Sequence, residues 1–514
     1  MTYIIKQKVR GRPYAYEVSA YWDPIKKQSR QKRKYVGAYD ERGNIVKKMS
    51  QRQILTVKTF GSVYILTELG IQSGLRKQLT KCFGKDGDLI LAQSIGKVLS
   101  PTALRNMHYV MEENYIPEIL NLSFDFTSQR LSDFLTQISK MQTEMFSFFT
   151  QLAKGSDALI YDLTTMSSYS KNLEFIEYGS HYKETGLPQF NVGLVYSITN
   201  RSPIYFKIFP GTINDVVTLK NLMDEIKIMG VKESMFILDR GFYSIGNIEG
   251  MLTSKVDFIM PIPFNITLAK ELISETNRKI QDPINGRMYN DQLYYVISKN
   301  VEIASSTIKA FIIHNEQRRA DEKRTLFAKI EEIETKFDGK VWDRKAQESF
   351  EAIASKQQHF FEIRVIDNLA SFKRKTKAIT HAANRCGKMI LLSSKEMPWD
   401  EALGYYRERD QIEKEINHLK NELEALPVRV HKMDTLRGLM FIFFISLILR
   451  SKLMEKASKA KLLKRSSLED LLFDMGKLKA VLIGQDWRLS EISKKQRGIL
   501  TALKIDIPKG LNPR

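Results

Sequence analysis

Between residues 157 and 262 the chain carries five apolar runs of strand length, at 158–163, 190–198, 204–209, 235–238 and 258–262. One helical stretch, 216–229, lies between the third and the fourth, and Asn214-Asp215 is expected to cap it. Strand–strand–strand–helix–strand is the order of a mixed sheet whose first three strands are antiparallel. In an open sheet with right-handed crossovers the first and fourth strands then lie side by side. Two of these runs end in aspartate, Asp162 in ALIYDLTTM and Asp239 in MFILDRGFY. The predicted fold is α/β, a mixed sheet flanked by helices, with two carboxylates brought together at the ends of adjacent strands.

A third carboxylate comes from residues 401–424, EALGYYRERDQIEKEINHLKNELE, which has no Pro and no Gly after Gly404 and predicts one helix of several turns. Tyr406, Arg409, Glu413 and Lys420 follow the spacing Y-x2-R-x3-E-x6-K. At about 100° per residue they share a stripe roughly 60° wide. Tyr405, Ile412, Ile416, Leu419 and Leu423 form an apolar stripe beside it. Taken alone, Arg409 and Glu413 read equally as an i,i+4 pair on a solvated face, worth about a few tenths of a kcal/mol. Joined to Asp162 and Asp239, Glu413 completes a set of oxygen ligands without His or Cys, suited to Mg²⁺ or Mn²⁺. Like charges held that close need a cation among them. Two such ions activate a water or hydroxyl and stabilise the departing oxygen of a phosphodiester.

The formal net charge of +21 over 514 residues calls for a polyanionic partner, and its spread through a globular sequence favours nucleic acid over a membrane surface. Two distant cysteines, Cys82 and Cys386, give neither a disulfide framework nor a zinc site and suit a reducing cytoplasm. The most apolar run, 439–449, is too short to span a bilayer and is expected to be a core helix packed on the same sheet. The N-terminus shows no signal-peptide pattern. Alternating strands punctuated at Gly11-Arg12-Pro13 predict a basic β module over 1–53, and the cations Lys26, Lys27, Arg30, Lys32, Arg33 and Lys34 read either as a DNA-binding, phosphate-contacting ribbon or as a solvated basic hairpin. Residues 54–152 predict a helical DNA-binding or dimerisation region. The catalytic domain is expected over 153–264 plus 385–455, a self-contained insertion over 265–384, and a basic helical region over 456–514. Within the insertion, residues 318–357 predict a helical hairpin turning at Asp338-Gly339, with Leu326, Ile330, Ile333 and Phe337 as its apolar stripe.

The motifs DLTT and DRGF, with the Tyr406-Arg409-Glu413-Lys420 signature, resemble the DDE transposases of bacterial insertion sequences, in the group known for a Y-R-E-K motif. The likeness extends through PQFNVGLVYS, FPGTINDVVTL and PVRVHKMDTLRGLMFIFFISLIL and covers most of residues 157–455. It implies an RNase H-like catalytic domain with a β-rich insertion before Glu413, from which the predicted helical hairpin departs. It further implies two Mg²⁺ ions, with Mn²⁺ able to substitute, bridged by Asp162 and each held by Asp239 or Glu413. Tyr406, Arg409 and Lys420 would grip phosphates of the transposon end. Arg240 reads either as a further phosphate contact or as an ordinary salt bridge. Trp342 reads either as a stacking platform for an extruded base or as packing within the helical hairpin.

The implied activity is cut-and-paste transposition: hydrolysis at terminal inverted repeats of double-stranded DNA, then strand transfer into target DNA by a homodimer. The expected location is the bacterial cytoplasm, on the nucleoid when DNA is bound. Two other readings fit the same residues, an RNase H-like nuclease without strand transfer and an inactive DNA-binding regulator.

Overall fold

The computed structural model describes residues 2–9, 12–24, 26–39, 43, 45–46, 56–170, 173–179, 186–213, 215–231, 234–354, 357–422, 427–464 and 466–511. Gly11, Asn214 and Leu423, each given a role above, lie outside them. The chain divides into two compact units, one of residues 1–58, 479–491 and 509–511, the other of the remainder.

In the first unit β1 (Thr2–Val9), β2 (Arg12–Asp23), β3 (Gln28–Tyr39) and β4 (Ile45–Val46) form an antiparallel sheet in chain order. Tyr, Val and Trp in alternation suit these strands, and β2 and β3 pair out to Asp23↔Gln28. β5 (Thr56–Thr59) belongs to a separate three-stranded sheet completed by residues 479–489, described below.

The second unit is built on one nine-stranded sheet. Its strands are β6 (Ala158–Ser167), β7 (Gln189–Ser197), β8 (Ser202–Pro210), β9 (Met235–Ile237) and β10 (Asp257–Pro261), followed by β11 (Gly286–Tyr289), β12 (Gln292–Ile303) and β13 (Ser306–Asn315). After the hairpin of β14 (Phe361–Ile366) and β15 (Leu369–Arg374), β16 (Lys388–Ser393) returns to the sheet. The spatial order is β11-β12-β13-β16-β10-β9-β6-β7-β8. The expected core is present: β6, β7 and β8 are antiparallel, and β9 lies parallel beside β6. β7 is buried along its whole length, as its apolar run requires of a strand covered on both faces.

The insertion is less separate than its sequence suggests. β13 pairs antiparallel with β16 from Lys309↔Ser393 to His314↔Lys388, so β11–β13 prolong the central sheet. The remainder has a core of its own. Helices Glu316–Phe337 and Arg344–Ala354 form the expected hairpin, and Ile330, Ile333 and Phe337 pack with Phe350, Phe360, Phe361 and Phe372.

The apolar run at 439–449 lies inside the helix Met433–Lys459. This helix touches β8, as expected, but it also packs along the helices Asp86–Leu99 and Ser128–Lys140. Gly438 permits the second contact: a Cβ there would lie 2.1 Å from the Leu135 carbonyl oxygen. No helix among the described residues is long and apolar enough to cross a membrane. The C-terminal region is not purely helical. Between the helices Leu468–Gly476 and Lys494–Ala502, β17 (Lys479–Ile483) and β18 (Asp486–Leu489) form a hairpin, and β17 pairs with β5.

Candidate active site

The two aspartates meet because β9 is short. It pairs with β6 up to Ile237↔Ile160 and then ends. Two residues further, Asp162 and Asp239 hold corresponding places on the parallel pair. Asp162 does not end its strand, as the sequence suggested: β6 continues against β7 to Ser167↔Gln189. The site opens because the neighbouring strand stops, which an apolar run read in isolation cannot show. Asp239 caps the short turn Arg240–Phe242, its Oδ1 accepting from the Arg240 N–H at 2.7 Å. Asp162 Oδ1 accepts from the Leu163 N–H at 3.0 Å.

The helix expected over 401–424 is broken. It forms as Trp399–Arg407 and Arg409–Asn417, continued by a π-turn at His418–Glu422. Glu408 closes the first segment and opens the second while keeping helical dihedrals. Intrinsic propensity does not register such a break; anchoring on both sides imposes it. The first segment is held by Arg407, whose guanidinium lies 5.1 and 5.4 Å from the ring centroids of Tyr289 and Tyr294 and donates to the Tyr294 hydroxyl. The second buries Ile412 and Ile416 and packs on β6 and β7. Arg407 and the buried Glu415, which accepts from Ser451 Oγ, were missed by sequence reasoning. The nearest signal was the run of charges around them.

Seating the second segment on β6 turns Arg409 and Glu413 toward the aspartates. Arg409 Nη2 lies 2.9 Å from Glu413 Oε1 and 3.9 Å from Asp162 Oδ2, and Nη1 lies 3.3 Å from Asp239 Oδ1. The solvated i,i+4 pair is therefore not what forms, since the Arg409 side chain is only 14% exposed and touches three carboxylates. Burial raises the Asp162 pKa to about 6; Arg409 opposes the rise, and Asp239 and Glu413 add to it. Burial works against the charge on Arg409, yet Asp239 and Asp162 more than offset it and hold its pKa above the ordinary value. Tyr406, raised by burial, hydrogen-bonds Arg409. Lys420, lowered by burial, is near enough for the Asp162 charge to oppose that shift. All four signature residues thus gather at one place, with Lys420 carried there by a π-turn, a feature frequent at functional sites.

The donors are hard carboxylate oxygens on a strand, on the turn that follows a second strand and on a helix, a set that suits a divalent cation bound by oxygen. Among the described residues no three His, Cys, Asp or Glu side chains are close enough together to hold a metal ion. The guanidinium spans the three carboxylates and supplies the positive charge that such a cluster needs. Of the remaining candidates, Arg240 is exposed and its charge acts on the Tyr406 phenol. Trp342 packs edge-on to Phe337, Phe350 and Phe372, with ring centroids 6.1, 5.5 and 5.7 Å away, against the insertion's own core.

A cryo-EM structure of the piggyBac transposase synaptic complex with hairpin DNA is similar at 11% identity and a TM-score of 0.32, over 81% of this chain and 70% of that one. Curated protein sequences give no match. The family model described as Transposase DDE domain matches residues 153–449, a span that contains Asp162, Asp239, Glu413 and the whole Tyr406–Lys420 signature. The chain belongs to the DDE-domain transposases.

Proposed function

We propose that this transposase moves a bacterial insertion sequence by a cut-and-paste route, hydrolysing a phosphodiester at each terminal inverted repeat and joining the freed 3′-hydroxyl to target DNA. The observation that carries the reading is the convergence of Asp162, Asp239 and Glu413 on one guanidinium. Three carboxylates so placed, in a family whose members act on DNA phosphodiesters, form the acidic centre of a phosphoryl-transfer site. With the guanidinium withdrawn from among them, these three residues would hold divalent cations, Mg²⁺ with Mn²⁺ as a substitute. When bound, such ions supply Lewis-acid polarisation of the phosphate and lower the pKa of a bound water or hydroxyl.

The other roles follow from the chain's own groups. Arg409, a planar fork with its Nε buried and without a hydrogen-bond partner among the described residues, can exchange carboxylate oxygens for phosphate oxygens of similar geometry. The Tyr406 hydroxyl, hydrogen-bonded to Arg409, and the Lys420 ammonium, within reach of the Asp162 charge, would hold the same DNA strand. Arg240, exposed beside Tyr406, would add a further phosphate contact. The basic β module over 1–53 would bind the inverted repeat, and two protomers would hold two ends. The activity is placed in the bacterial cytoplasm, on the nucleoid.

The test uses the purified full chain and duplex DNA carrying the element's ends, with Mg²⁺ or Mn²⁺. Cleavage at the ends followed by joining to target DNA is expected. Cleavage without joined product would favour the nuclease reading, and binding without cleavage the inactive regulator.

A further inference from the structure

The antiparallel register of β1–β3 sorts side chains onto two faces of unlike chemistry. Residues directly opposite one another share a face and alternate along each strand. Tyr3↔Val18↔Arg33 and Ile5↔Tyr16↔Tyr35 lie on one face, joined there by Gln7, Tyr14, Trp22 and Gln31. Side-chain contacts agree with this assignment. Gln31 Nε2 donates to the Tyr3 hydroxyl at 3.2 Å, Arg33 Nη1 donates to Gln7 Oε1 at 3.4 Å, and the Tyr35 ring lies 5.9 and 5.7 Å from those of Tyr14 and Tyr16. This face is aromatic, and among the described residues its cations are Arg33 and, at the end of β2, Arg12.

The opposite face carries Lys6 and Lys8 on β1 and Arg30, Lys32 and Lys34 on β3, all exposed. Its acids are Glu17, opposite Lys34, and Asp23 at the strand end, 3.4 Å from Arg30. In register, Lys8 sits opposite Pro13 and Arg30 opposite Tyr21. The five cations therefore form a diagonal stripe that advances about 27 Å along the strands at ~3.4 Å per residue. That length matches about eight base-pair steps of duplex DNA, whose strands each carry a phosphate per ~3.4 Å of axis. Composition alone reads this segment as a basic ribbon; the register gathers five of its cations on one face with Tyr21 and Tyr39, the latter's ring centroid 4.7 Å from Lys6 Nζ, and puts Tyr3, Tyr14, Tyr16, Trp22 and Tyr35 on the other.

We propose that the face bearing Lys6, Lys8, Arg30, Lys32 and Lys34 is the surface of this module that lies along a DNA phosphate backbone, and that the Tyr3/Tyr16/Trp22/Tyr35 face is turned away from it. The proposal rests on the chain acting on DNA and deepens that reading by naming the face and the DNA component it meets. Its partner is the phosphate backbone, because lysines on a strand present point charges without the planar fork that reads base edges.

Binding of fluorescent duplex DNA to the full chain, followed across a salt series, tests this. Each phosphate neutralised contributes about −0.9 to the slope of log K against log salt. Replacing all five residues by Gln should make the slope shallower by about 4–5, and Lys32→Gln alone by about 0.9. Arg33→Gln, one position along β3 but on the other face, should leave it unchanged. Circular dichroism and melting temperature should match wild type in each variant. An equal change in slope for Arg33→Gln and Lys32→Gln would overturn the facial assignment. An unchanged slope in both the five-Gln and Lys32→Gln variants would remove the sheet from the DNA interface. If the five-Gln variant instead loses low-salt self-association while keeping wild-type DNA binding, the face meets another copy of the chain, and the proposal fails. End cleavage by the wild-type chain tests the transposase reading separately: wild-type cleavage with an unchanged five-Gln slope sinks only this inference.

Discussion

Arg409 makes the arrangement of the three carboxylates intelligible. Asp162, 18% exposed, would be expensive to ionise beside Asp239 and Glu413 without the guanidinium 3.9 Å away. Arg409→Ala should therefore lower the melting temperature in chelator, by the equivalent of about 1–3 kcal/mol for a partly buried charge left without its partner. Added Mg²⁺ or Mn²⁺ should recover more of that loss in the variant than it adds to wild type. A scanning-fluorimetry series with and without metal checks this, and equal shifts in both proteins would deny that cation and guanidinium answer the same charge. Glu413 is half exposed and sits at the rim, so its charge matters to chemistry more than to folding. Glu413→Gln should keep end-DNA affinity within about threefold while cleavage falls at least about 10³-fold, ~4 kcal/mol in the transition state. Gel shift and nicking assays on the same preparation check it, and normal nicking would take Glu413 out of the site. Both aspartates and the whole signature were legible in the sequence, because acids set in apolar runs and a fixed spacing of side chains are local patterns. The break at Glu408 and the early end of β9 were not, since both are imposed by what packs against them.

At the scale of elements, the sheet shows where local reading runs out. The order of β6 to β9 followed from apolar runs and one crossover, while the place of β10 between β9 and β16 did not. The joining of β11–β13 to β16 did not, because pairing between segments about 80 residues apart leaves no local periodicity to read. That junction holds a titratable pair: Lys388 on β16 is opposite His314 on β13, and both are buried. Burial lowers the Lys388 pKa to about 8 and also lowers that of His314. The folded lysine therefore binds a proton less readily than the unfolded one. Between about pH 8 and its ordinary value near 10.5, the unfolded chain holds more protons, so this group makes stability rise with pH across that window. Lys388→Met should lose this contribution, and the stability difference, wild type minus variant, should grow more positive from pH 8 to 10.5. Denaturant midpoints at several pH values check the sign; a constant difference would mean Lys388 is not perturbed. In the helical hairpin, the heptad-like stripe was legible and the placement of Trp342 was left open between two roles. Its three aromatic neighbours predict that Trp342→Ala costs about 2–3 kcal/mol, less than full burial would give, with first-strand nicking kept. An unchanged melting temperature with slowed hairpin formation or opening would instead support its stacking on an extruded base.

At the scale of the whole molecule, the division into units is not the one that chain order suggests. The basic module was expected to end near residue 53, yet its unit also takes in residues 479–491 and 509–511. The reason is β5, which lies just past that boundary in sequence and pairs with β17 of the C-terminal hairpin. Helical periodicity from residue 54 onward hid a strand of four residues. Two truncations should consequently behave differently. Removing residues 1–53 takes away the β1–β4 sheet and its cationic face but leaves β5 on β17, so the melting temperature should fall by no more than about 1 °C, the equivalent of ~1 kcal/mol in a chain of this size. DNA affinity and its salt dependence should fall sharply. Removing residues 1–59 strips β17 of its neighbour and exposes the backbone donors and acceptors of a strand edge, a template for pairing with other chains. That shorter chain should aggregate on concentration or melt lower than the first, although it lacks only six more residues. Light scattering and calorimetry on the pair separate the cases. Equal stability and solubility would mean that the β5–β17 pairing contributes little to the fold, and that the boundary near residue 53 serves as well as the one the strands define.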